Sequence, residues 1–181
     1  MLGLRLQLQI DLEIDNAVGV RGARARLFLV RKRGEWLDPV LMKLLAYVLF
    51  FHPGLQVEAS AEQRYKPDLL RLDERGDPVQ WIDCGSTALR KLDRITRRNR
   101  KTPIDIVKRG ERELRLFKDA ADRKIERPER VRYYAFADGF VERLGERLQG
   151  RHLVRAEVDA ARSRLRLVVD GEPLETPVVR L

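Results

Sequence analysis

Apolar and polar residues alternate strictly at the start of the chain. Leu2, Leu4, Leu6, Leu8, Ile10, Leu12 and Ile14 fall on one side, and Arg5, Gln7, Gln9, Asp11 and Glu13 on the other. Strand side chains point to opposite faces with period two, so the pattern predicts a half-buried strand over 2–14. A loop near Asn16–Gly19 leads into 21–33, where Ala23, Ala25, Leu27 and Leu29 alternate with Arg24 and Arg26. A second strand pairing back on the first is the economical reading. At Asp38-Pro39 the period changes. Asp at the N-cap and Pro at the first helical position predict a helix start. The run Val40 to Phe51 is apolar almost all round, interrupted by Lys43, and such a helix belongs in the interior. His52-Pro53-Gly54 ends it, with His52 a boundary residue. Leu55 to Glu58 is a short strand; Glu58 either faces solvent or approaches the site described next.

Residues 66–85 carry two apolar-rich runs around a polar cluster with Gly76 and Pro78, the pattern of a β-hairpin. With Arg75-Gly76 as the tip, paired residue numbers sum to 151. Leu72 then faces Val79, Leu70 faces Trp81, and Asp68 faces Asp83, all on one face of the pair. An apolar stripe would end in two opposed carboxylates, and like charges directly opposite destabilise a sheet. Three arrangements relieve this: a divalent metal held by the two acids, a cation from Arg71, Arg90 or Lys91, or a slipped register.

Ser86 or Thr87 is placed to cap a helix running to about Arg98. Ala88, Leu92 and Ile95 form its apolar side, and Thr87, Lys91, Arg94 and Arg98 another. Pro103 to Lys108 reads as a strand, Glu111 to Lys124 as a helix with Leu114, Phe117 and Ala121 inward, and Arg130 to Phe136 as a strand. A helix capped by Asp138 and closed by Gly150 follows, carrying Phe140, Val141, Leu144 and Leu148. Strand and helix alternating in this order predict parallel crossovers on one sheet. The tail returns to strands over His152–Val158, Arg164–Val169 and near Val178. The fold class is therefore α/β, a mixed sheet flanked by helices, in one domain over 1–181.

Charge sharpens this picture at one place. The net charge is +9, and Ser86 to Lys101 holds seven basic residues against Asp93 alone. That helix lacks the mixed signs of an ordinary solvated face, and phosphate is the natural partner of Arg90, Arg94, Arg97 and Arg98. The single cysteine, Cys84, excludes an internal disulfide and suits a buried role in a reducing compartment. The opening strand pattern is not that of a signal peptide, and the longest apolar run falls short of a membrane span; a cytoplasmic protein is expected. No glycine-rich phosphate loop, Cys/His cluster or serine elbow is present. With only His52 and His152, histidine-centred chemistry is improbable.

The arrangement Pro67-Asp68, then Trp81-Ile82-Asp83-Cys84-Gly85, then a basic helix resembles the YaeQ family of bacterial proteins, a divergent branch of the PD-(D/E)XK nuclease-like fold. The resemblance implies a nuclease-like core with extra N- and C-terminal strands. It implies that Asp68 and Asp83 are the two acids that hold Mg²⁺ on adjacent strands. The general motif also has a lysine two residues after the second acid. Here that position is Gly85, as in YaeQ-like proteins, and Arg90, Lys91 or Arg94 would stand in for it. Of these, only Lys91 can exchange a proton at neutral pH. Two functions follow from the resemblance: a Mg²⁺-dependent enzyme acting on nucleic acid, with Asp68, Asp83 and Lys91 catalytic, or a non-catalytic module that binds nucleic acid or the transcription machinery.

Overall fold

The structure, a computed structural model, describes residues 7–16, 20–30 and 37–181. Its frame is one ten-stranded mixed sheet in the order β2-β1-β8-β9-β10-β7-β6-β5-β4-β3. The strands are β1 (Gln7–Asn16), β2 (Val20–Val30), β3 (Leu55–Val57), β4 (Leu69–Leu72), β5 (Pro78–Cys84), β6 (Ile104–Lys108), β7 (Val131–Phe136), β8 (Arg151–Val158), β9 (Arg164–Val169) and β10 (Glu172–Arg180). The helices are α1 (Asp38–Leu49), α2 (Leu89–Arg98), α3 (Glu111–Lys124) and α4 (Phe140–Arg147). The mixed α/β class is thus the observed one. Residues 2–6, 17–19 and 31–33, where the sequence reading also placed strand or loop, lie outside the described residues.

The alternating pattern of β1 is realised as expected. Leu8, Ile10, Leu12 and Ile14 are buried, and β2 returns antiparallel with Leu29 opposite Leu8 and Leu27 opposite Ile10. β5, β6 and β7 are parallel neighbours, as the strand–helix order requires. Two long-range pairings lie beyond local pattern. β8 runs parallel to β1, and β10 joins the two halves of the sheet, pairing with β9 through Pro177 and with β7 from Val178. The last strand is therefore nine residues long, not a short piece near Val178.

α1 is the centre of the larger core. Nine of its residues are buried, and they meet Leu8, Ile10, Leu69, Ile82, Phe136, Val154 and Leu167 from distant strands. α2 and α3 cover the opposite face of β4–β7, where Leu70, Trp81, Ile106, Leu114 and Tyr133 form a second core. The helix starts differ from expectation. Leu37 is the N-cap of α1, and Asp38 is its first residue, ion-paired to Arg109 at 2.9 Å instead of capping. α2 begins at Leu89 with Ala88 as N-cap, so neither Ser86 nor Thr87 caps it. Gly139, at φ +77°, takes the N-cap of α4 that Asp138 was expected to hold. A left-handed residue at that corner is easiest for glycine.

The hairpin of β4 and β5 keeps the expected register at Leu69–Ile82, Leu70–Trp81 and Arg71–Gln80, then slips so that Leu72 meets Pro78 and not Val79. The cause is Asp73. Its Oδ1 accepts from the N–H groups of Arg75 and Asp77, both at 2.9 Å, and organises a longer loop than a two-residue tip. Gly76, at φ +84°, supplies the left-handed turn residue.

Candidate functional site

The candidate site lies at the carboxyl ends of β5 and β6, the end of a parallel sheet where open α/β folds bind ligands. Asp83 stands there on β5, 1% exposed. The β4–β5 ladder closes at Leu69–Ile82, and Asp68 precedes the strand. The Asp68 N–H donates to the Ile82 carbonyl at 3.1 Å, and its Oδ2 accepts from the Cys84 N–H at 2.8 Å. A backbone N–H of a strand lies in the plane of the sheet, so the Asp68 carboxylate wraps the end of β5 instead of standing square to Asp83 on one face. The two acids are close enough that the charge of Asp68 adds to the upward push on the Asp83 carboxyl.

Lys91, in the first turn of α2, answers the buried charge. Its Nζ is 3.0 Å from Oδ1 and 2.9 Å from Oδ2 of Asp83, and it donates to the Lys66 carbonyl at 3.1 Å. Burial raises the Asp83 carboxyl above its ordinary value; the Lys91 ammonium opposes that shift without cancelling it. The hydrogen-bond geometry favours Oδ1. Oδ2 is buried with no well-directed donor although the ammonium is near.

Two further lysines, which the sequence reading did not place here, converge on the same strand end. Lys43 comes from α1, pairs with Glu58 at 2.5 Å and lies 3.7 Å from Asp68 Oδ1. Lys108 closes β6, is 3% exposed, and donates a short hydrogen bond to the Gly85 carbonyl. Phe117 covers its ammonium at 4.1 Å, and Glu113 stands 3.5 Å away. Burial holds the Lys108 ammonium below the usual lysine range. Each left a trace in the sequence: Lys43 breaks an otherwise apolar helix, and Lys108 ends an apolar strand.

A cleft of about 890 Å³ opens on this corner. Asp68, Lys43, Lys91, Gly85 and Ser86 form its inner wall, and the Arg109 ion pairs with Asp38 and Glu142 its outer rim. Asp83 is not on the wall; Lys91 is, and stands between Asp83 and the cleft. For Mg²⁺ the donor set is lean. Among the described residues no three His, Cys, Asp or Glu side chains converge. The unsatisfied Asp83 Oδ2 and the Asp68 carboxylate are nevertheless a fit for an ion that takes one or two carboxylates and completes its shell with water and phosphate.

The remaining sequence candidates are distributed as follows. Thr87 is buried between Gly85 and α2, with an unpartnered hydroxyl. Glu58 is joined to the cleft through its ion pair with Lys43. Cys84 is buried, and desolvation raises its thiol well above the ordinary range, which disfavours the thiolate. The His52 Nδ1 accepts from the Gly54 N–H and ends α1, away from the cleft. Arg97 is committed to Asp93 at 2.9 Å and Glu126 at 3.0 Å. Arg90, Arg94 and Arg98 are exposed and, among the described residues, have no carboxylate partner.

This fold, a curled mixed sheet wrapped on a buried helix with a lysine-lined acidic cleft at its parallel end, has close structural relatives. The structure of the YaeQ protein from Xanthomonas axonopodis pv. citri matches with a TM-score of 0.79 at 18% identity, covering 98% of both chains. The YaeQ protein from Pseudomonas syringae matches at 0.77 and 16% identity, covering 98% of this chain and 96% of that one. A family model described as YaeQ protein matches residues 20–175. The chain belongs to the YaeQ family. No curated protein matches the sequence. Among the described residues no helix is long and apolar enough to cross a membrane.

Proposed function

We propose that the cleft is a Mg²⁺-dependent phosphodiester-hydrolysing site acting on nucleic acid, built on a PD-(D/E)XK-like core. The observation that carries this reading is the buried Asp83–Lys91 pair behind Asp68 at the parallel end of the sheet. A carboxylate that is 1% exposed, with one oxygen lacking a directed donor, is costly to keep for packing alone. Asp68 and Asp83 would hold the ion, which supplies polarisation of the scissile phosphate and a lowered pKa for an attacking water. Lys91 has the reach to exchange the Asp83 carboxylate for a phosphate oxygen, placing its ammonium where charge develops. Lys108 holds the Gly85 carbonyl and so fixes the strand end on which both acids depend. Lys43, 3.7 Å from Oδ1, adds a positive charge beside Asp68.

The purified protein should cleave labelled single- or double-stranded DNA or RNA with Mn²⁺ or Mg²⁺. Asp68→Ala should abolish cleavage, and Lys91→Met should slow it. Cleavage indifferent to Asp68→Ala, or none with either metal, would refute the hydrolytic reading. A second reading is favoured by the unpartnered Arg90, Arg94 and Arg98 and by the engagement of Lys91 with Asp83: a module that binds nucleic acid, or a component of the transcription machinery, without cutting. Metal-independent binding with no cleavage would select it.

A further inference from the structure

Beyond Lys91, α2 forms one wall of a separate groove. The other wall is the segment between β3 and β4, carrying Gln63, Arg64 and Tyr65; buried Ile95 is the floor, and Arg94 and Arg98 stand on the helix side. The groove encloses about 370 Å³. Its walls are tied together by a reciprocal amide pair. The Gln63 Nε2 donates to Asn99 Oδ1 at 2.8 Å, and the Asn99 Nδ2 donates to Gln63 Oε1 at 3.2 Å. Asn99 is itself fixed, because the same Nδ2 donates to the Ile95 carbonyl at 3.1 Å. The groove is thus set before any ligand arrives.

Its chemistry is consistent along its length. Tyr65 is half-buried against the second core and lines the groove, with the Arg64 guanidinium over its ring at 5.7 Å from the centroid. The nearby acids, Asp93 and Glu126, are taken by Arg97. That leaves Arg64, Arg94 and Arg98 without a carboxylate partner among the described residues. Lys91, Arg94 and Arg98 follow one stripe of α2, about 10 Å long at ~1.5 Å per residue. The stripe runs from the Asp83 pair to the groove.

We propose that this groove binds single-stranded nucleic acid, with one base stacked on Tyr65 and neighbouring phosphates on Arg94 and Arg98, the strand then leading along α2 to Lys91. The proposal rests on nucleic acid being the ligand class of the reading above and adds its form. A cationic track with an interleaved aromatic is the recurring recipe for single strands, because stacking tolerates any base. A recessed ring meets a base face only when that base is unstacked and unpaired. A duplex offers this groove phosphates alone.

Fluorescence anisotropy of a short labelled oligo(dT), and of a duplex of equal length, without divalent metal at low salt, tests the proposal. The wild type should prefer the single strand. Tyr65→Leu keeps much of the packing volume and removes the aromatic face; it should weaken single-strand binding by roughly 5- to 150-fold, the range for one stacked base, and leave duplex binding unchanged. Tyr65→Phe should bind like the wild type. Arg94→Ala with Arg98→Ala should lower the log–log salt slope by about 1.4. Melting curves confirm that each variant is folded, and if Tyr65→Leu fails to fold, the preference for single strand and the Arg94/Arg98 pair decide. Equal affinity for duplex, or Tyr65→Leu binding unchanged, overturns the proposal. The hydrolytic reading fails separately. Tyr65-dependent binding without cleavage leaves the groove standing, and Asp68-dependent cleavage without a Tyr65 effect leaves the cleft standing.

Discussion

Replacing Lys91 with methionine gives the sharpest test of the site's electrostatics. The substitution keeps most of the aliphatic stem and deletes the ammonium that, alone among the described residues, stands within 3.0 Å of Asp83. The carboxylate, 1% exposed, cannot recruit bulk water and takes up a proton instead. That choice caps the cost. An unfolded aspartate titrates near 3.9, so holding a proton on it at pH 7 costs about 1.36 × 3.1, or about 4 kcal/mol, and at pH 5 about 1.5 kcal/mol. Burial already raises this carboxyl in the wild type, so the loss assigned to Lys91 at pH 7 is smaller than the cap, about 2–4 kcal/mol. For a chain of this size that is a fall in melting temperature of roughly 5–15 °C.

The sign follows from the direction of the shift. A carboxyl raised on folding costs nothing below the unfolded value, costs more as pH climbs through the interval between the two values, and levels off above the folded one. The variant should therefore approach wild-type stability at pH 4 and diverge from it toward pH 7. Chemical denaturation across that range measures the gap, and Asp83→Asn in the same background should close it. Mg²⁺ adds a second arm. If Asp83 holds Mg²⁺ as proposed, the ammonium competes with the ion in the wild type and not in Lys91→Met, so Mg²⁺ should raise the melting temperature of the variant by more than that of the wild type. A loss under ~1 kcal/mol that ignores pH would refute the assigned burial of charge. Equal or absent Mg²⁺ shifts would refute the metal assignment.

Two other substitutions probe the same strand end. Lys108→Met should be neutral or stabilising by up to about 1–4 kcal/mol at pH 7, because folding opposes the Lys108 proton at every pH below its ordinary value, and the gain should shrink by pH 10; a loss above ~1 kcal/mol by denaturation would show that the Gly85 contact outweighs burial. Gly85→Lys, which places a lysine where the proposed nuclease-like core would carry one, should cost about 1–2 kcal/mol, since φ is +63° while an added Cβ meets nothing within 4 Å; a neutral melt would show that the backbone relaxes.

Much of the frame was legible because it is written in local period. The alternation at Leu8 to Ile14 fixes which face of β1 is buried, and the unbroken apolar run of α1 fixes its place at the centre. The register of Leu69 to Arg71 against Gln80 to Ile82 followed from the hairpin pattern. It failed toward the tip because one carboxylate, Asp73, pulled two backbone N–H groups into its own turn, and side-chain capping of that kind has no period. The parallel pairing of β1 with β8 joins residues some 140 positions apart and is set by the whole topology.

The site shows the same division. Asp68, Asp83 and Lys91 lie on consecutive elements, and local geometry brings them together. Lys43 and Lys108 arrive from α1 and β6, so their presence depends on which face each element covers. Their arrival changes the physics of the site. Gly85 holds a left-handed backbone that disfavours a side chain, and the neighbouring strand brings the Lys108 ammonium to its carbonyl. Counting buried and half-buried groups, three ammoniums surround two carboxylates, while Glu58 and Glu113 answer from the solvent side. A corner with that balance attracts an anion more readily than a bare cation.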